Sequence, residues 1–242
     1  MKQTKGYQIW QIIYPIGIYY VVSSLCYFAL EMLLGNADET YMLRQLVCAA
    51  VTIPAILKYY MADKNIRDTV YGQKKFKLGS EQMIYIAVTV VSVSALGIAV
   101  NNIIAMTPLI QTSEGFQTAN QAFFAGTAVY ELLGSCFLIP IAEELLFRGV
   151  VYQRLKLMVG VSPAIICSAL IFGLVHVNLV QFLYAAVLGC LLAYLYEKTG
   201  FFYVPVLGHI AANTAAVVRA ETGWLSFGYM ADAKGIGFTV VM

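Results

Sequence analysis

The sequence predicts an all-α fold, a polytopic transmembrane helical bundle of about seven to eight spans, and three observations carry that prediction. Of 242 residues, 60% are hydrophobic and only 12% are charged, whereas a soluble domain carries about 25% charged residues. The mean hydropathy is +0.75. The apolar residues fall in runs near the length of ~20 residues that a helix needs to cross a ~30 Å hydrocarbon core.

In chain order the candidate spans cover 9–34, 40–61, 82–106, 121–147, 163–177, 179–197 and 201–219. The fourth continues helically toward residue 158 and the fifth is short. An eighth candidate between Trp224 and Met242 is weaker, because glycines, Asp232 and Lys234 interrupt it. Lys2 and Lys5 precede the first run as they would in a secretory signal. That run is too long for a signal core and lacks a small-x-small exit, which predicts a retained first span.

Net charge is only +2, so orientation follows from where Lys and Arg sit. A basic stretch over 58–77 (Lys64, Arg67, Lys74, Lys75, Lys77), Arg154 with Lys156, and Lys198 share one side with the N-terminal lysines if seven spans alternate. The connections near 35–40, 107–120 and 178 contain no Lys or Arg. The N-terminus is therefore expected in the cytoplasm, with the basic stretch as a topology signal that could also meet lipid headgroups.

The five cysteines (Cys26, Cys48, Cys136, Cys167, Cys190) all lie inside spans without CxxC spacing, as core residues rather than disulfide or metal ligands. No internal repeat, glycine-rich phosphate loop or basic-aromatic patch is present, which argues against repeat-built transporters, nucleotide binding and nucleic-acid partners. The chain reads as a single integral membrane domain over 1–242. Within it, 1–119 holds the N-terminal spans, 120–220 the motif-bearing core, and 221–242 a tail or weak last helix.

The run "IAEELLFRGV", 141–150, places three charges in that core. Each costs about 2.5–3.5 kcal/mol at a helix centre in a bilayer, so such residues face the bundle interior and take partners. Glu144 and Arg148 are four apart on one helical face, an orientation that pairs well. Glu143 lies about 140° around the helix from Arg148, which leaves it without a local partner. A purely structural role for all three charges is the plain alternative.

The histidine census sharpens the choice. The chain has two histidines, both within expected spans: His176 in "FGLVHVN", one turn after Phe172, and His209 in "GHIAAN", one turn before Asn213. If the fourth and fifth helices form a hairpin about Gly160, with Ser162 and Pro163 opening the fifth, Glu143 and His176 are level. Glu143 lies roughly 16 Å from Arg154 and His209 roughly 13 Å from Gly200 at helical rise, so all three can share a layer. Pro140 and Pro205 each loosen a turn nearby and leave a carbonyl unpaired.

A glutamate shielded from bulk water can act as general base toward a water molecule, with a histidine sharing the proton. A second histidine and an asparagine amide can donate to the oxyanion of a tetrahedral intermediate. This set suits hydrolysis of a peptide or amide without a covalent intermediate, since no Ser or Cys nucleophile stands at a recognisable spacing from either histidine. Zn²⁺ held by Glu143, His176 and His209 is the open variant. The residues alone do not choose between direct base catalysis and metal-bound water.

"EELLFR", "FGLVH" and "HIAAN" resemble, in order, the EExxxR, FxxxH and HxxxN motifs of the CAAX-processing and bacteriocin-processing (CPBP, or Abi) intramembrane proteases, which include the Ras-converting CAAX endopeptidase. The resemblance covers roughly 120–220. It implies an intramembrane endopeptidase in which Glu143 and His176 activate water, His209 and Asn213 form the oxyanion site, and Glu144 and Arg148 support it. It also implies a peptide or protein substrate, with lipidation at a C-terminal cysteine as one form, in a membrane setting that for relatives of this kind is the bacterial plasma membrane. Two rival classes stay open: a proton- or ion-coupled transporter using the same Glu and His, and a non-catalytic immunity or scaffold protein.

Overall fold

The computed structural model describes residues 4–72 and 79–242. Among them there is no strand, and the helices are α1 (Lys5–Leu34), α2 (Tyr41–Tyr71), α3 (Ser80–Ala105), α4 (Leu109–Thr112) and α5 (Glu114–Phe123) in the first half. The second half holds α6 (Ala128–Val159), α7 (Val161–Leu174), α8 (Leu179–Thr199), α9 (Tyr203–Thr222) and α10 (Ala233–Val241).

The bundle is transmembrane in character, and the expected count of seven to eight spans holds only in outline. Lys5–Leu34, Asp38–Tyr71, Ser80–Ala105 and Leu179–Thr199 are long and apolar enough to cross a membrane. Glu114–Phe123 with Ala128–Val159 gives a fifth only if the two are counted together, and their axes bend by 114°. The fourth candidate thus breaks at 124–127. There a Cβ at Gly126 would stand 2.9 Å from the Glu39 carbonyl, so glycine lets the chain turn against the α1–α2 connection. With 14 residues, α7 reaches about 21 Å, short of a full crossing.

The weak eighth candidate is a nine-residue helix, α10, folded back on the bundle. Asp232 caps it, accepting from Gly235 N–H at 2.7 Å. Asn102 of α3 donates through Nδ2 to Thr239 Oγ1 (2.9 Å), while buried Arg219 of α9 donates through Nη2 to Asn102 Oδ1 and to the Leu225 carbonyl (2.8 Å). Polar residues that spoil a span here dock a tail.

At the end of the bundle that bears Arg154, α2 runs helically to Tyr71, well beyond the expected limit at 61, and stops at Gly72 with φ +79°. Lys64 and Arg67 are therefore helical, whereas Lys2 and Lys74, Lys75 and Lys77 of the basic stretch lie outside the described residues. Arg154, expected as a free headgroup anchor, instead holds Asp63 through Nε (2.7 Å) and Nη2 (3.1 Å) and donates to the Gln11 carbonyl. Lys156 pairs with Glu197 at 2.7 Å. These contacts tie α1, α2, α6 and α8 together at one level.

The centre of the bundle is α6. Every residue of Leu145–Tyr152 is buried, the pattern of a helix surrounded on all sides. Close approach depends on small residues: a Cβ at Gly149 would stand 2.6 Å from Tyr60 Cδ2. Gly160, with φ +83°, both ends α6 and caps α7, so the hairpin turns at Gly160 as expected while α7 starts two residues before the expected Ser162–Pro163 opening. Val93, Leu188, Leu192 and Ala212 form a second core between α3, α8 and α9, which holds α9 against the face where the charges lie.

Candidate active site

α6 is not a uniform helix. Leu132–Leu138 and Leu145–Tyr152 are π-helical, and Ile139–Glu144 between them is α-helical. Such π turns are rare and concentrate at functional sites, because the wider turn redirects side chains and frees backbone groups. Glu143 and Glu144 end the α-helical segment, at the junction.

Glu144 is fully buried, and its Oε1 lies 2.9 Å from Arg148 Nη1 and 2.9 Å from His209 Nδ1. The Arg148 contact is a charge contact without hydrogen-bond alignment, since neither Nη1 nor Nη2 makes a hydrogen bond within the protein. Proximity decides its role: one buried cation beside one buried carboxylate. Arg148 also lies 4.5 Å over the Phe172 ring, and a Cβ on Gly189 would come within 3.1 Å of its Nη2. Glycine on α8 thus makes room for the guanidinium, and Arg148, 1% exposed, is sealed from any approaching substrate.

The His209 ring lies between the two glutamates. With Nδ1 on Glu144, its Nε2 faces Glu143 Oε2 at 3.7 Å. The Glu143 side chain is 17% exposed and that of Glu144 0%, so Glu143 is the carboxylate that water or substrate can reach. The imidazole in contact with Glu143 is therefore that of His209, and His176 has no ion-pair contact with either glutamate.

His176 lies just beyond α7, in the turn to α8, rather than inside a span. Its Nδ1 is 2.9 Å from the Phe172 carbonyl. Val177 next to it has φ +63°, which a β-branched residue adopts only where its surroundings impose it. Asn178 then caps α8, accepting from Gln181 N–H at 2.9 Å and donating to the His176 carbonyl at 3.2 Å. Phe172 joins the parts, its ring lying 5.1 Å from the His176 ring and 5.8 Å from the His209 ring, both near perpendicular.

Asn213, one turn after His209, donates through Nδ2 to the Ser135 carbonyl at 2.8 Å. That carbonyl is free for a reason written in the sequence. The Ile139 N–H bonds to Gly134 five residues back; in that register position 140 would bond to Ser135, and Pro140 has no N–H. Pro140 thereby creates the acceptor that anchors Asn213.

Two residues of the site region fall outside the sequence reading. Ser135 acts through its backbone and carries no side-chain signal. Glu131, 2% exposed with Oε2 lacking a hydrogen-bond partner, is a second buried carboxyl of α6; its signal is a lone carboxylate in an apolar run.

A hydrolytic zinc site takes three protein ligands. Among the described residues no three His, Cys, Asp or Glu side chains are grouped to hold a metal, and Glu143 with His209 supplies two. The set Glu143, His176 and His209 does not fit a metal as placed.

Residues 125–215 match the family described as type II CAAX prenyl endopeptidase Rce1-like, a stretch that contains all six site residues. The "Putative membrane peptidase YdiL" of Bacillus subtilis (strain 168) is 34% identical over 79 residues, covering 33% of this chain and 32% of that protein. "CAAX prenyl protease 2" of Homo sapiens is 30% identical over 130 residues, covering 43% and 39%. The match thus spans about a third to two fifths of these relatives' lengths. No solved structure matches the chain significantly.

Proposed function

We propose that this chain is an intramembrane endopeptidase of the CAAX-protease type that hydrolyses a peptide bond with an activated water. The observation that carries the reading is the chain of contacts Arg148, Glu144, His209, Glu143, which runs from a sealed cation to a reachable carboxylate. A buried carboxylate that orients a histidine, whose other nitrogen faces the reaction space, is the arrangement acid–base catalysis needs.

In this scheme Glu143 takes a proton from water as its oxygen bonds to the scissile carbonyl carbon. His176, whose ring also meets Phe172, serves with Glu143 as a second proton acceptor. As the imidazolium, with Nδ1–H on Glu144, His209 donates from Nε2 to the oxyanion, beside the second N–H of the Asn213 amide. Collapse of the intermediate breaks the C–N bond, and the proton passes to the leaving amine. Glu144 and Arg148 act through His209.

The substrate is a peptide or protein, and the relatives' names favour one lipidated at a C-terminal cysteine, approached laterally from the membrane. The distribution of Lys and Arg favours an N-terminus in the cytoplasm, and the Bacillus subtilis relative favours a bacterial plasma membrane.

The test is cleavage by the purified protein in lipid nanodiscs of peptides with and without a lipidated cysteine, comparing wild type with Glu143→Ala and His176→Ala. Wild-type cleavage lost in both variants is expected; equal cleavage by all three would sink the proposal. A chelator arm addresses the zinc variant, and a Glu143-dependent proton flux in liposomes would favour a transporter instead.

A further inference from the structure

The end of α7 contains a hydrogen-bonding irregularity that bears directly on His176. In a continued helix the His176 N–H would bond to the Phe172 carbonyl four residues back. It bonds instead to Gly173 at 3.1 Å, and Val177 N–H follows to Leu174 at 3.3 Å. The tightened turn passes over the Phe172 carbonyl and leaves it as one of the orphan acceptors of a helix C-terminus. The His176 ring supplies the missing donor, with Nδ1 at 2.9 Å.

A carbonyl oxygen only accepts, so Nδ1 carries the proton. In the neutral ring Nε2 then holds the lone pair. The same residue acts a second time through its side chain. Phe172 is 2% exposed, and its ring meets His176 at 5.1 Å with planes at 86° and His209 at 5.8 Å with planes at 80°. The Arg148 guanidinium lies over the same ring at 4.5 Å. Edge-to-face contacts of this kind are directional and fix ring planes. Val177, in the left-handed region and 92% exposed, holds the turn that makes the arrangement possible.

We infer that Phe172 is the positioning residue for both histidines: its carbonyl fixes His176 as the Nδ1–H tautomer, which makes Nε2 the proton-accepting nitrogen, and its ring sets both imidazole planes. This rests on the proposed hydrolytic reading for its catalytic meaning, while the tautomer and ring geometry stand without it.

The experiment separates the two. The full chain, labelled with ¹⁵N-histidine in nanodiscs, should give a His176 signature with Nδ1 protonated and Nε2 as the lone-pair nitrogen. Phe172→Leu keeps the backbone carbonyl and most of the apolar volume but removes the ring. Its His176 should stay protonated on Nδ1 while the signals of both histidines broaden as their ring planes are released, and kcat should fall about a hundredfold, the scale of a small misplacement at a reacting group, with KM within about twofold. Phe172→Tyr should restore both. A wild-type His176 protonated on Nε2, or a Phe172→Leu protein with wild-type histidine signals, would overturn the assignment. Wild-type signals as expected from a protein that cleaves no peptide would overturn only the hydrolytic reading.

Discussion

His209 Nδ1 lies 2.9 Å from Glu144 Oε1, joining residues 65 positions apart in the chain. Glu144 thus serves two partners at once, as counter-charge to Arg148 and as the acceptor that turns the His209 ring. Electrostatic support of the bundle and orientation of the site are one interaction.

Glu144→Gln should separate those duties. The substitution keeps the shape, but leaves the buried Arg148 without a counter-charge, which costs about 3–5 kcal/mol, and weakens the hold on His209. Thermal unfolding in detergent should show the stability loss, and peptide cleavage should fall by about 10²–10⁴. The double variant Glu144→Gln/Arg148→Met should recover stability without activity. Recovery of both would mean that Glu144 has no role beyond pairing Arg148.

This pairing marks where sequence reasoning ends. Spacing alone puts Glu144 and Arg148 on one face, because a helix repeats regularly, and it separates Glu143 from them. It does not bring Glu144 to His209, since that contact is set by how α9 packs on α6. His176 was expected inside a span because "LVHVN" contains no glycine or proline to announce a break; the turn is built instead from a left-handed valine and the Asn178 cap. Span counting fails similarly at 124–127, where hydropathy does not register a 114° bend.

Gly189→Ala should show how tightly Arg148 is enclosed. The new methyl would come within 3.1 Å of both Arg148 Nη2 and Ala169 Cβ, so helix and guanidinium must shift slightly. A stability loss of about 1–3 kcal/mol by thermal unfolding is the expected result. An unchanged midpoint would show that α8 can yield there.

The C-terminal clamp makes a prediction away from the site. Asn102→Ala removes the side chain that bonds both Arg219 and Thr239 and leaves a buried guanidinium less satisfied, at a cost of about 1–3 kcal/mol. Hydrogen exchange over 224–242 should rise in this variant while peptide cleavage stays at the wild-type level. Unchanged exchange would mean that the tail is held by its apolar contacts alone.

Pro140 offers the most specific test, because its proposed action is the absence of a donor. With no N–H at position 140, the Ser135 carbonyl is left to Asn213 Nδ2 at 2.8 Å. Pro140→Ala supplies the missing N–H, which competes for that carbonyl and frees the Asn213 side chain. Helix stability should hold or improve, since proline inside a helix costs ~3 kcal/mol relative to alanine, yet cleavage should fall about tenfold as one oxyanion donor loses its anchor. In a double-variant cycle Asn213→Ala should cost much less on the Pro140→Ala background than on wild type, because both changes act on one contact. Additive losses would show that Pro140 and Asn213 act independently, and the carbonyl would then have no part in placing the amide.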